Sequence, residues 1–351
     1  MRITQVEIVA HQPRFRGGGY AMSHVVQEVL AARLIRLTTD SGITGVGEIV
    51  RRPIIDPAEA EPQEDCVLDR LTGMDMADLP ALVAEWRVNP LLRGVAFAVD
   101  LAFWDATARA VGLPLWALLG GRQTEAAPAY SSIGGKTPHS MAAAVRARPD
   151  HPVVQAKLGM GAIEDDLDRV RAVLAAMSPD QLLLADFNGA LDRQTALRHL
   201  PQIQDPRLVW EDPCAAYEDM DVLARALEAP LMYDMCVQSL PEAVRALCDG
   251  VAGSLTIKPP FMGGLSVART VRDMCEAAGM PMRIDGPWSG QIAAAADVHL
   301  ALGTPEDLLI ASADLTDPLE LTPTLLTHPA PGMVGVADGA GLGPIPAGLF
   351  P

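Results

Sequence analysis

Six ionisable residues stand where an apolar run ends: Lys157 after VVQA, Asp186 after LLLA, Glu211 after LVW, Asp234 after LMY, Lys258 after SLTI and Asp285 after MRI. The intervals between them are 29, 25, 23, 24 and 27 residues, close to one strand plus one helix. If the runs are parallel strands, all six polar groups emerge at one end of the sheet and face a common centre. Taken singly, each has a plainer reading. An Asp or Glu after a strand often caps the next helix, and a Lys there is usually a solvated charge. Six at constant phase in successive segments argue for a shared site.

Three carboxylates from adjacent strands repel one another unless a cation neutralises them. Asp186, Glu211 and Asp234 form an oxygen-only set with no His or Cys joining it, which suits a hard ion such as Mg²⁺ better than Zn²⁺. Asn188, two residues beyond Asp186, is placed to brace the ligands. Lys157 lies one strand before the acids and Lys258 one strand after, so a closed barrel would set them across the metal from each other. A desolvated lysine near a metal is expected to have a lowered pKa and to act as a base. Two such groups on opposite faces of a substrate permit proton removal from one side and return from the other, the apparatus of a racemase or epimerase. With a leaving group on the next carbon, the same first step leads to elimination. A proton alpha to a carboxylate is only weakly acidic, so the enediolate formed needs positive charge at the carboxylate oxygens.

The elements that must position these residues read as strands near 127–132, 152–157, 181–186, 207–211, 230–234, 253–258, 281–285 and 307–312. Helices are expected between them, from near His139, Ala162, Arg193, Glu218, Pro241, Gly264 and Ser289. Such alternation predicts an α/β chain with a TIM-type barrel. A doubly wound open sheet is the competitor, but the first of these strands carries no glycine-rich phosphate loop. Ahead of the barrel, residues 2–10, 26–38 and 46–49 alternate like an antiparallel meander, and 57–120 read as mostly helical. Gly17 to Gly19 followed by Tyr20 makes either a substrate-covering lid or a merely flexible connection. We expect an α+β domain over 1–122, a catalytic barrel over 123–318, and a C-terminal segment, 319–351, that packs back on the first domain.

Length and charge narrow the classes. A chain of 351 residues suggests two packed units. A formal charge of −17 argues against nucleic acid or an anionic membrane as partner, and an anionic substrate would need local cations to reverse that field. Cys66, Cys214, Cys236, Cys248 and Cys275 show no metal-finger spacing and read as buried small hydrophobes in a reducing compartment. The start of the chain lacks a signal-peptide core. Asp100, Asp105 and Arg109 interrupt the most apolar stretch, so it reads as a buried helix and not a membrane span. A cytoplasmic protein is expected.

These features resemble the enolase superfamily, specifically its muconate-lactonizing subgroup. The likeness runs over essentially the whole chain, through FAVDLAFWDATARAVGLPLWALLGG, LLLADFN, WEDP, MYD and IKPPFMGG. It implies a modified (β/α)7β barrel with a capping domain, Asp186, Glu211 and Asp234 as Mg²⁺ ligands, and Lys157 and Lys258 as the acid/base pair. It also implies a homo-oligomer, a dimer or an octamer. The chain departs from the pattern where Gln155 replaces the first lysine of a Lys-x-Lys, Met235 follows Asp234, Ala311 and Ser312 stand where relatives often place a Glu, and Asp285 replaces a His. A mandelate-like mechanism is thereby disfavoured. Trp288, just past the seventh strand, either offers an indole face to a cationic nitrogen or packs beneath a loop. Segments like these occur in relatives acting on proline-type amino acids, and the resemblance implies that Asp285 here would assist in binding the amine. The implied activity is dehydration of cis-3-hydroxy-L-proline with competing 2-epimerisation. A proline-betaine epimerase is the nearest alternative. Another amino acid or dipeptide epimerase, a muconate-type cycloisomerase, or a non-catalytic metal-dependent binder of small acids is further off.

Overall fold

The computed structural model describes residues 1–351 apart from 17–19, 22–25, 53, 136, 314–315, 317, 322–324 and 351, and leaves out the side chains of 20, 21, 26 and 27. The N-terminal part begins with Ile3–His11 (β1), the short pair Tyr20–Ala21 (β2) and Val26–Gln27 (β3), then Ala32–Thr39 (β4) and Thr44–Ile49 (β5). β1, β4 and β5 form an antiparallel sheet. The strand expected over 26–38 is therefore two pieces, with β3 paired to β2 in a small ribbon of its own. The expected lid glycines lie outside the described residues, as does the side chain of Tyr20.

Four helices follow: Pro57–Leu68 (α1), Leu79–Trp86 (α2), Arg93–Val111 (α3) and Leu115–Leu118 (α4). α3 is buried along most of its length and stops at Gly112, whose φ of 70° provides the left-handed cap. It lies almost on the backbone of β5. A Cβ at Gly45 or Gly47 would stand 2.0 Å from the carbonyl oxygens of Ala102 and Ala98 respectively, so only glycine allows this approach.

The barrel starts with Ala127–Pro128 (β6) and Tyr130–Ile133 (β7) and continues through Pro138–Arg146 (α5), Val153–Lys157 (β8), Ile163–Ala176 (α6), Leu182–Asp186 (β9) and Arg193–His199 (α7). Leu208–Glu211 (β10), Tyr217–Ala226 (α8), Leu231–Tyr233 (β11), Leu240–Asp249 (α9) and Ser254–Ile257 (β12) come next. Then follow Pro259–Met262 (α10), Leu265–Ala278 (α11), Met282–Ile284 (β13), Gln291–Leu302 (α12) and Leu309–Ala311 (β14). β7 to β14 make one eight-stranded sheet in sequence order. A parallel bridge between Ala129 and Ser312 joins its two edges. Each of the first seven strands is followed by a helix, and no helix follows β14 among the described residues.

Side chains alternate across a strand. Val153, Leu184, Val209 and Met232 pack together in one inner layer with Ala311. Counting on in twos from these four reaches Lys157, Asp186, Glu211 and Asp234 on the same face. One apolar layer thus seals the barrel beneath the polar one. The C-terminal strands Leu326–Thr327 (β15) and Met333–Val336 (β16) pair with each other, and β16 also pairs with β6. Farther on, Gly341 bridges Pro114 and Leu342 donates to Asp105 of α3. The tail therefore docks on the barrel as well as on the N-terminal domain. Among the described residues, no helix is long and apolar enough to cross a membrane, and the five cysteines are free thiols.

Candidate active site

The strand registers bring the expected residues to one end of the barrel. Lys157 of β8 is paired with Asp186 of β9, and Asp186 with Glu211 of β10. Asp234 and Lys258 follow β11 and β12 directly. β8 and β12 stand four places apart in the ring of eight, so the lysines approach from opposite walls. Each lysine is bound to an acid: Lys157 Nζ donates to Asp186 Oδ2 at 2.5 Å and Lys258 Nζ to Asp234 Oδ2 at 2.5 Å. The Lys157 side chain keeps 38% of its exposure against 13% for Lys258, so Lys157 is the more open to an incoming molecule.

The charges around the lysines act against burial. Burial alone would push both pKa values down, as expected from the sequence. For Lys157 the charges of Asp186 and Glu211 outweigh burial, and for Lys258 those of Asp234 and Asp285 do so, leaving both above the ordinary lysine value. Both are ammonium ions in this arrangement, because contact with a carboxylate is worth more to the charged form than desolvation removes.

Two inward residues of neighbouring phase complete the network. Gln155 lies two positions before Lys157, and its amide donates to Asp186 Oδ2 at 3.1 Å and to Glu211 Oε2 at 2.9 Å. It ties two acids together without adding charge. Arg283 of β13 was not singled out in the sequence, yet it is fully buried and grips both oxygens of Glu211, at 2.8 Å through Nη1 and 2.5 Å through Nη2. It also stands 3.7 Å from Asp234 Oδ2 and 3.5 Å from Asp285 Oδ2. Burial pushes the Glu211 carboxyl up, but Arg283, with Lys157 and Gln155, more than reverses this and holds it below the usual range. The available signal was an arginine within the short apolar run PMRI, where a buried strand can carry charge only if it is paired.

Backbone geometry supports the acids from outside. Asn188 adopts a φ of 47°, and its backbone N–H, at 2.8 Å, and side-chain amide both donate to Asp186 Oδ1. Asp212, a second residue not singled out, has a φ of 39°. It accepts from the N–H groups of Asp234 at 3.0 Å and Met235 at 2.6 Å, fixing the turn after β11.

Asp285 is engaged by the protein. Its Oδ2 accepts from the Tyr130 hydroxyl at 2.9 Å and its Oδ1 from Gly286 N–H at 2.7 Å. Trp288 meets Phe15 of the N-terminal domain edge to face, with centroids 6.4 Å apart, which agrees with the packing alternative and ties the seventh loop to that domain. Neither contact identifies a substrate amine.

A divalent ion can be tested against these residues. The donor chemistry fits, and Asp234 Oδ1 is buried without a hydrogen-bond partner among the described residues, an acceptor suited to a cation. The oxygens of Asp186 and Glu211 are by contrast met by Lys157, Gln155, Asn188 and Arg283. No three acidic, His or Cys side chains among the described residues form a ready ligand cluster.

Comparison with known proteins places this chain in a family. Residues 3–120 match the mandelate racemase/muconate lactonizing enzyme N-terminal domain, and residues 139–345 match the enolase C-terminal domain-like family. The chain belongs to the enolase superfamily. Among curated relatives it is 28% identical to cis-3-hydroxy-L-proline dehydratase of Roseibium aggregatum, over 90% of this chain and 88% of that one. It is 28% identical to muconate cycloisomerase 1 of Rhodococcus opacus, over 88% and 87%. Among solved structures, a mandelate racemase/muconate lactonizing enzyme from Roseovarius nubinhibens superposes with a TM-score of 0.86 at 29% identity, covering 97% of this chain and 95% of that one. An enolase-superfamily member from the same organism, complexed with magnesium, gives a TM-score of 0.89 at 27% identity over 98% and 96%. Its relatives are lyases and isomerases, and the chain is an enzyme of that kind.

Proposed function

We propose that this enolase-superfamily enzyme removes the α-proton of a proline-type amino carboxylate and expels a β-hydroxyl, dehydrating cis-3-hydroxy-L-proline with 2-epimerisation as a competing outcome. The observation that carries the reading is the opposition of Lys157 and Lys258 on β8 and β12, each held against a carboxylate of the intervening strands. The likeness to cis-3-hydroxy-L-proline dehydratase of Roseibium aggregatum supports the substrate class.

Mg²⁺ is the proposed cofactor, with Asp186, Glu211 and Asp234 as its ligands, and when bound it would supply positive charge for the substrate carboxylate. The chain's own groups do the proton work. A lysine parted from its carboxylate loses the attraction that raises its pKa, and its neutral amine can take the α-proton. The lysine on the opposite wall, still an ammonium ion, can give a proton to the departing hydroxyl, which leaves as water. The enamine product of this elimination tautomerises to a cyclic imine. If the second lysine instead returns a proton to the α-carbon, the result is the epimer. Asn188 and Gln155 keep Asp186 aimed while these contacts change. Asp285, Trp288 and Tyr20 remain our candidates for reading the substrate.

Incubation with Mg²⁺ and cis-3-hydroxy-L-proline in D₂O tests the proposal. Formation of the cyclic imine supports dehydration, and a deuterated stereoisomer alone supports epimerisation. No exchange of the α-proton, in this compound or in a proline betaine, would overturn the substrate class.

A further inference from the structure

A cavity of about 190 Å³ lies where the segment after β5, the start of α3 and the segment after β12 meet, with Arg51, Arg52 and Arg93 all in its wall. The chain carries 44 acidic side chains against 27 Lys and Arg, so three arginines around one small space run against its overall charge.

Arg51 is already neutralised. It donates to Glu64 at 2.7 and 2.5 Å and reaches Glu61 at 3.3 Å. The other two are held differently. Arg93 donates only to carbonyl oxygens, Arg87 O at 3.1 Å and Phe261 O at 3.3 Å. The Arg52 guanidinium lies over the Phe261 ring, 5.7 Å from its centroid, and among the described residues neither it nor Arg93 is paired with a carboxylate. Burial and the nearby charge of Arg52 both push the Arg93 pKa down, and the charge of Glu242 offsets them only in part. Two half-buried guanidinium groups that repel each other across a cavity are relieved by an anion between them.

The rest of the wall narrows the kind of anion. Ile54 lines the cavity at 82% exposure, beside Leu91 and Pro260. An apolar rim over a cationic floor favours an ion with a hydrocarbon part. The volume is below that of sites for drug-sized ligands and matches a small acid. Planar guanidinium groups also match carboxylate geometry.

We propose that this cavity binds a small organic carboxylate, its oxygens held by Arg52 and Arg93 and its hydrocarbon part resting against Ile54 and Leu91. The site is separate from the lysine centre but adjoins it. Lys258 Nζ lies 5.7 Å from the centroid of the same Phe261 ring that carries Arg52, so both sites border one aromatic side chain. An acid bound there would join the N-terminal domain, through Arg52 and Arg93, to the barrel segment that follows Lys258.

Benzoate titrated into the intact protein by calorimetry, at constant ionic strength set with chloride, tests this. Saturable binding of one benzoate per chain is expected in the wild type and in Lys258→Ala. It should weaken at least about tenfold in Arg52→Gln, the loss of one charge-assisted hydrogen bond. Arg52 makes no side-chain hydrogen bond to the protein among the described residues, so this variant should fold, and an unchanged melting temperature checks that. Arg93→Lys keeps the charge but loses the fork and should weaken binding less. Four results would each overturn the proposal: no saturable binding to the wild type, equal binding to Arg52→Gln, loss of binding in Lys258→Ala, or inorganic phosphate binding as tightly as benzoate.

Discussion

At the scale of single residues, the site sets its cations against buried acids. Lys157 and Lys258 are proposed to move protons, and their loss should be felt in chemistry before stability. Alanine at either position is expected to lower α-proton exchange by about 10²–10⁴-fold, with the circular dichroism spectrum unchanged, whereas a non-catalytic binder of small acids would keep its affinity in both variants. Arg283 is a different case. It is fully buried on Glu211, which is also fully buried, and removing one partner leaves an uncompensated charge in the interior. Arg283→Met should therefore destabilise the fold by about 3–5 kcal/mol, read as a lower midpoint in urea. If the midpoint does not move, Arg283 is not the counter-ion that the geometry makes it.

At the scale of elements, the barrel helices are anchored by acids from the N-terminal domain. Glu48 of β5 accepts from Gly290 N–H at 2.5 Å and Ala293 N–H at 3.1 Å, capping α12, the helix that follows the seventh barrel strand. Asp100 of α3 accepts from the backbone and hydroxyl of Ser266 on α11, each at 2.7 Å. The first contact carries a pH signature. Burial pushes the Glu48 carboxyl from about 4.5 up to about 7, against the backbone N–H donors that lower it. Between these values the folded state holds more protons than the unfolded one, so this contact makes stability fall as pH rises through that window and levels off above it. Glu48→Gln should flatten the slope of melting temperature against pH between 5 and 7. An unaltered slope would mean that other groups set it.

At the scale of the whole molecule, the acidic chain gathers three cations, Lys157, Lys258 and Arg283, at one end of the barrel, against acids contributed by adjacent strands. If Asp186, Glu211 and Asp234 hold Mg²⁺ as proposed, the ion binds only the folded state and must raise its stability, by about 2.7 kcal/mol at a hundred times the dissociation constant. Titration with MgCl₂ at fixed ionic strength should raise the melting temperature of the wild type. Asp234→Asn, which alters the carboxylate with the unpartnered buried oxygen, should lose most of that increment. No increment in the wild type would remove the metal from the proposed mechanism.

Much of the fold was legible in the chain because hydrophobic period and spacing are local properties. The eight barrel strands lie within the segments expected for them to within a residue or two, and Lys157, Asp186, Glu211, Asp234, Lys258 and Asp285 occur at strand ends because the apolar runs stop there. The partner of each group was not legible. Arg283 meets Glu211 from 72 residues away, and Glu48 meets Gly290 from 242. Nothing local in PMRI or GVGEI says where those side chains go. The effect of the neighbouring acids on the lysine pKa values was not legible for the same reason. Burial can be inferred from an apolar run, but the balance between burial and a neighbouring carboxylate depends on a distance that exists only once the strands are side by side. The sequence by itself determined the period of the barrel and the order of its polar groups, lysine, three acids, lysine. Only the tertiary structure decided which charge neutralises which, because Coulomb energy depends on separation in space and not along the chain.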